Sequence, residues 1–112
     1  MDERQLVKQA QAGDFEAFAQ LIKANKHKVY GLVRRLTANI EDAEDIVQES
    51  FLKAIDRIDQ FRGESAFGTW LSSIALNEAR ALHAKKRQFD LKPIEDYLPS
   101  GGSHGDGQQD SL

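Results

Sequence analysis

The chain has no cysteine. That excludes a disulfide framework and any thiolate metal site, and it agrees with a reducing compartment. No apolar run approaches the roughly eighteen residues that a membrane span needs, so membrane insertion is not expected. The start, Met1-Asp2-Glu3-Arg4-Gln5, lacks the apolar segment of a secretory signal. Strand-like alternation of apolar and polar residues is missing throughout. There is no Ser/His/Asp set, Walker loop or dinucleotide fingerprint, and Ser50 has no histidine near it in sequence to act as a base. The three histidines, His27, His83 and His104, are scattered. Excess positive charge is lacking too: the net charge is −3.

What is present is ordinary in bulk and uneven in detail. At 112 residues the chain has room for one domain with one modest core. Residues 1–90 carry 14 Lys/Arg and 14 Asp/Glu, so the whole net charge falls on residues 91–112. Five bases and no acid lie between Lys23 and Arg35, and five acids and no base between Glu41 and Glu49. Local field matters more to a polyanion than net charge does. Such runs fit solvated helix faces as well as surfaces for charged partners.

The apolar spacing predicts helices only. The first runs from about Asp2 to Ala12, with Gly13 as its stop and Asp14 as the next N-cap. The second runs from about Phe15 to Leu36, with Phe18, Ile22, Val29, Val33 and Leu36 on one stripe. Asn39 and Asp42 form a capping pair for a third helix from about Ile40 to Ile58. Arg62-Gly63-Glu64-Ser65 is a turn, with Ser65 the N-cap of a fourth helix from about Ala66 to Arg87. After Phe89 the character changes. Both prolines and the run Ser100-Gly101-Gly102-Ser103 fall there, and such a segment reads as a flexible linker.

Three features carry candidate chemistry. Asp42, Asp45 and Glu49, with Gln48, lie on one face of the third helix, matching either solvation with dipole capping or a docking face for an Arg-rich helix. No histidine stands at metal-ligand spacing from these carboxylates. Phe61, Phe67 and Trp70 bracket the glycine-containing turn. Aromatic faces stack unpaired bases, yet aromatics at helical spacing also build cores. Ser73, Asn77 and Arg80 share a face of the fourth helix, and Lys85-Lys86-Arg87 ends it. Asparagine and arginine read base edges or hold phosphate, while bases at a helix C-terminus also favour the dipole. His27, among Lys26 and Lys28, admits a rival reading as a phosphotransfer histidine on a helical domain.

Taken in order, Asp-Ala-Glu-Asp-Ile-Val-Gln-Glu-Ser-Phe (42–51), Phe-Arg-Gly-Glu-Ser-Ala-Phe-Gly-Thr-Trp-Leu (61–71) and Ile-Ala-Leu-Asn (74–77) resemble region 2 of bacterial sigma factors. The resemblance is to the extracytoplasmic-function (ECF) group of the sigma-70 family. Gly-Asp-Phe-Glu-Ala-Phe (13–18) matches that group's usual opening, and the likeness covers about residues 3–88. It implies an all-α, compact three- to four-helix bundle at residues 1–90, with 91–112 a flexible linker toward a missing region 4 domain. It implies a cytoplasmic transcription initiation factor rather than an enzyme, with no cofactor or metal. Asp45, Gln48 and Glu49 would bind the β′ clamp helices of core RNA polymerase. Phe61, Arg62, Gly63, Glu64, Ser65, Ala66, Ser73, Asn77, Arg80, Lys85, Lys86 and Arg87 would contact promoter DNA, mainly the non-template strand of the −10 element, which the domain recognises and melts. An anti-sigma factor is an implied partner. One departure stands out: Gly68 occupies a position where the group usually carries a larger side chain, which is expected to loosen the start of the fourth helix or thin a base contact. A histidine phosphotransfer module and a generic helical interaction domain are the alternatives.

Overall fold

The computed structural model describes residues 2–90; the expected linker at 91–112 lies outside the described residues. Two units are distinguished, Met1–Ala81 and Leu82–Leu112. Of the second, the helical residues to Asp90 are described.

Helix α1 spans Glu3–Gln11. A capping box starts it: Gln5 N–H donates to Asp2 Oδ1 at 2.9 Å, and Asp2 N–H donates to Gln5 Oε1 at 3.2 Å. It stops in a Schellman arrangement. Asp14 N–H reaches back to Gln9 O at 2.9 Å and Gly13 N–H to Ala10 O at 3.0 Å. Gly13 makes this possible at φ +103°, a conformation that costs other residues a steric clash. Asp14 then caps helix α2, Phe15–Leu36, by accepting from the N–H groups of Glu16 and Ala17. Two residues therefore end one helix and begin the next, as the sequence predicts.

Helix α3 spans Ile40–Arg57, and Asn39 Oδ1 accepts from Asp42 N–H at 2.8 Å, again the expected cap. The helix ends one residue earlier than expected. The chain tightens into a 3₁₀ turn at Ile58–Gln60, closed by Phe61 N–H donating to Ile58 O at 3.1 Å. Helix α4 spans Phe67–Asp90.

The core of the first unit is built from one stripe of each helix. Val7 and Ala10 come from α1, Leu21, Val29 and Val33 from α2, Ala43, Ile46 and Ala54 from α3, and Phe67, Leu71 and Ala75 from α4. Leu21 is more deeply buried than the expected Ile22, which is half-buried. Fully buried alanines at 43, 54 and 75 add little volume and let helices approach closely. Ser50 is also fully buried. Its Oγ donates to Ile46 O at 2.6 Å, so the hydroxyl is satisfied within its own helix. Between α3 and α4, Lys53 Nζ meets Glu78 Oε2 at 2.6 Å.

Gly68 has a packing role that its sequence position does not announce. Gly68 is buried in the first turn of α4. A β-carbon on it would collide with Asn25 Oδ1 of α2. The missing side chain lets the two helices approach at this point.

Candidate protein and nucleic-acid interface

Asp45, Gln48 and Glu49 are all exposed on α3. Their spacing of three and four residues places them on one helix face. Asp42, one turn earlier, is half-buried and engaged with the Asn39 cap, with Asn39 Nδ2 3.4 Å from Asp42 Oδ2. The acid run is thus divided: Asp42 caps the helix, while the later members face solvent. Beside them lies a shallow apolar groove between α2 and α3. Phe15 and Ile22 line one side, Phe51, Leu52 and Ile55 the other, and Lys23, Lys26 and Gln48 supply the polar lining. Phe15 is 67% exposed and Leu52 58%. Single exposed apolar residues are common, but two large ones sharing a groove make a sticky patch. Sequence reasoning missed both. Leu52 lies one helical turn beyond Gln48 and Glu49, a spacing that could have found it.

The second candidate surface is the arch from Arg62 to Ala66, every residue of which is exposed. Gly63 turns it at φ +76°, and Ser65 Oγ donates to Ala66 O at 3.1 Å. The arch stands on an aromatic cluster. The Phe61 and Phe67 rings meet edge to face at 5.9 Å, the Phe61 and Trp70 centroids are 5.1 Å apart, and Phe18 meets Phe67 edge to face at 6.3 Å. One open reading and one expected cap are decided here. Phe61 is only 7% exposed. Its ring is held against Phe67 and Trp70, so it walls the foot of the arch. Ser65 does not cap α4. The helix begins at Phe67, whose N–H donates to Glu3 Oε2 at 2.8 Å, so the cap arrives from α1. At the other foot, Gln11 Nε2 donates to Ile58 O at 2.9 Å and to Phe61 O at 2.8 Å. Neither Glu3 nor Gln11 was singled out by sequence.

On α4, Ser73, Asn77 and Arg80 are exposed and share one face. The Ser73 hydroxyl donates to Trp70 O at 2.6 Å, which leaves its oxygen as an acceptor. Lys85, Lys86 and Arg87, in the second unit, are exposed. His27 is exposed on α2. Among the described residues no group of His, Asp and Glu is arranged to hold a metal ion, and no helix is long and apolar enough to cross a membrane.

Comparison with known proteins follows the same outline. The family model for sigma-70 region 2 matches residues 21–89. The chain is 42% identical over 107 residues to the ECF RNA polymerase sigma-E factor of Haemophilus influenzae, covering 95% of this chain and 54% of that protein. It thus spans about half the length of the curated relatives it matches. Among solved structures, an engineered region 2 of sigmaE in complex with GTAAAA superposes with a TM-score of 0.71 at 39% identity, covering 81% of this chain and 96% of that one. CnrH in complex with the cytosolic domain of CnrY gives a TM-score of 0.65 at 32% identity, covering 70% and 51%.

Proposed function

Because the chain belongs to the sigma-70 region 2 family, in its ECF group, we propose that it docks on core RNA polymerase and recognises and melts the promoter −10 element. The observation that carries this reading is a division of exposure. Asp45, Gln48 and Glu49 and all of Arg62–Ala66 face solvent, while the residues that brace them, Ile46, Phe61 and Phe67, are buried. A core does not need those polar residues in that place.

The α3 carboxylates suit an Arg-rich helical partner, because guanidinium forks pair bidentately with carboxylates. The coiled-coil clamp helices of the β′ subunit are that partner. The arch accepts a base turned out of the non-template strand. Arg62, Gly63, Glu64, Ser65 and Ala66 offer backbone groups and short side chains close to it, and Gly63 lets the backbone approach. Ser73, Asn77 and Arg80 meet neighbouring bases or backbone, and Lys85, Lys86 and Arg87 meet phosphates. No covalent bond is made or broken. Capture of the unstacked base offsets an unpairing cost of a few kcal/mol, and the duplex opens because its open form is held better. The basic residues that meet phosphates are few, so counterion release adds only modest affinity and the polymerase supplies most of the hold on promoter DNA. The cytoplasm is the setting that promoter opening requires. A protein inhibitor is a fitting second partner, since CnrH, a structural neighbour, was solved with a cytosolic domain of CnrY.

The experiment is calorimetric titration of this chain with an isolated β′ clamp-helix fragment, with Asp45→Arg as control. Micromolar binding that the variant loses by more than about tenfold, with no change in melting temperature, supports the docking face. Equal binding by the variant removes it.

A further inference from the structure

The arch at Arg62–Ala66 has both feet tied to the same distant helix. At the leading foot, one side-chain amide, Gln11 Nε2, bridges two carbonyls, Ile58 O at 2.9 Å and Phe61 O at 2.8 Å. Its two hydrogens are then both committed. At the trailing foot, Phe67 N–H donates to Glu3 Oε2 at 2.8 Å across 64 positions. That N–H is among the first of α4, which have no partner inside the helix, and neither Ser65 nor Ala66 supplies one. A carboxylate placed there also faces the positive end of the helix dipole. The rings of Phe61 and Phe67 anchor the same two feet in the core. Between the feet, the five arch residues are exposed and Gly63 gives them extra backbone freedom.

We infer that Glu3 and Gln11 are positioning residues for base recognition: α1 acts as a brace that holds the arch in shape before DNA arrives. The inference rests on the promoter reading above. Its physical basis is preorganisation. A segment ordered in advance does not have to be ordered at the expense of binding. The brace also explains why a short helix that presents none of the expected contact residues is tied to the loop that presents five of them.

The test uses the full 112-residue chain, with Glu3→Ala, Gln11→Ala and the conservative Glu3→Gln, whose amide oxygen still accepts from Phe67 N–H. Glu3 is exposed in the first turn of α1, so its truncation leaves the core intact. The amides of Leu21 and Val33 report that the fold persists. The first readout is the backbone order parameter at residues 63–65 by NMR relaxation. It should be about 0.85 in the wild type and in Glu3→Gln, and below about 0.6 in the two alanine variants. The second is enrichment from a pool of single-stranded DNA carrying a randomised hexamer, which should fall about tenfold in the alanine variants and recover in Glu3→Gln.

An arch that stays rigid in Glu3→Ala and Gln11→Ala overturns the brace, whatever the DNA result. A loosened arch with unchanged enrichment overturns its role in recognition. A wild-type chain with a rigid arch that enriches no hexamer, alone or with core RNA polymerase present, overturns the promoter reading itself, and with it the role assigned to the brace.

Discussion

Gly68 of α4 lies against the carboxamide of Asn25 on α2 so closely that a β-carbon on the glycine would overlap Asn25 Oδ1. Asn25 is not free to swing away without loss, because its Nδ2 donates to Leu21 O at 2.7 Å. Gly68→Ala therefore sets two effects against each other. Alanine in a helix gains about 1 kcal/mol over glycine, and breaking the Asn25 bond costs about the same. The single variant is expected to be neutral to about 1 kcal/mol less stable. The double variant Asn25→Ala, Gly68→Ala should exceed the sum of the singles by about 1 kcal/mol. Urea unfolding of the four proteins measures this coupling, and strict additivity would show that the two residues do not constrain each other.

Two leucines that look alike in sequence are expected to behave oppositely. Leu71 is fully buried, whereas Leu52 is 58% exposed beside the α2–α3 groove. Leu71→Ala should cost about 3 kcal/mol through lost transfer energy and the cavity left behind. Leu52→Ala should change stability by less than about 0.5 kcal/mol while weakening attachment to the clamp-helix fragment. Paired denaturation and titration curves separate the two. A large stability loss in Leu52→Ala would mean that the groove is part of the core.

Gly63 carries a conformation as well as a position. Its φ is +76°, and a β-carbon added there would meet nothing within 4 Å. The site has room for a side chain but not the backbone preference for one. Gly63→Ala should therefore destabilise by about 1 kcal/mol, and Gly63→Asn by less, because asparagine tolerates the left-handed region. Single-stranded DNA capture should decline in the same order. Equal stability of all three proteins would place the arch in another backbone conformation in solution.

The Lys53–Glu78 pair joins α3 to α4 at 2.6 Å, with side chains 34% and 18% exposed. Partial burial puts it above a surface ion pair, yet water still reaches the lysine. A double-mutant cycle with Lys53→Met and Glu78→Gln should return a coupling of about 1 kcal/mol in low salt. The coupling should shrink in about 1 M sodium chloride, where the screening length is about 3 Å. No coupling at low salt would reduce the pair to a chance approach of two solvated groups.

Much of this architecture was legible in the residues because its signals are local. Gly13 with Asp14 and Asn39 with Asp42 punctuate the helices through bonds that span at most five residues, and each falls where spacing alone put it. Exposure of Asp45, Gln48 and Glu49 followed from the same periodicity. What sequence left open or misassigned was decided by partners far along the chain. Phe61 at a helix exit reads equally well as core or surface until Phe67 and Trp70 close on it. Ser65 is a good cap by type, but the N–H of Phe67 had a better acceptor in Glu3. Gly68 looked like a weak point because nothing near it in sequence announces Asn25. Periodicity reports which face of a helix is apolar, not which distant residue will meet it.

The bond between Glu3 and Phe67 closes a loop of 64 positions, and that separation has a kinetic meaning. Contacts that far apart carry a large closure entropy and tend to form after local ones. Helices α1 and α2, joined by a short corner at Gly13 and Asp14, can come together early, whereas the cap on α4 waits for the N-terminal end to return. Glu3 leaves the ribosome before α3 and well before Phe67. Once α3 has followed, and until Phe67 does, the nascent chain has its acidic helix but no finished arch, and it acquires the second surface only when the fold as a whole is complete.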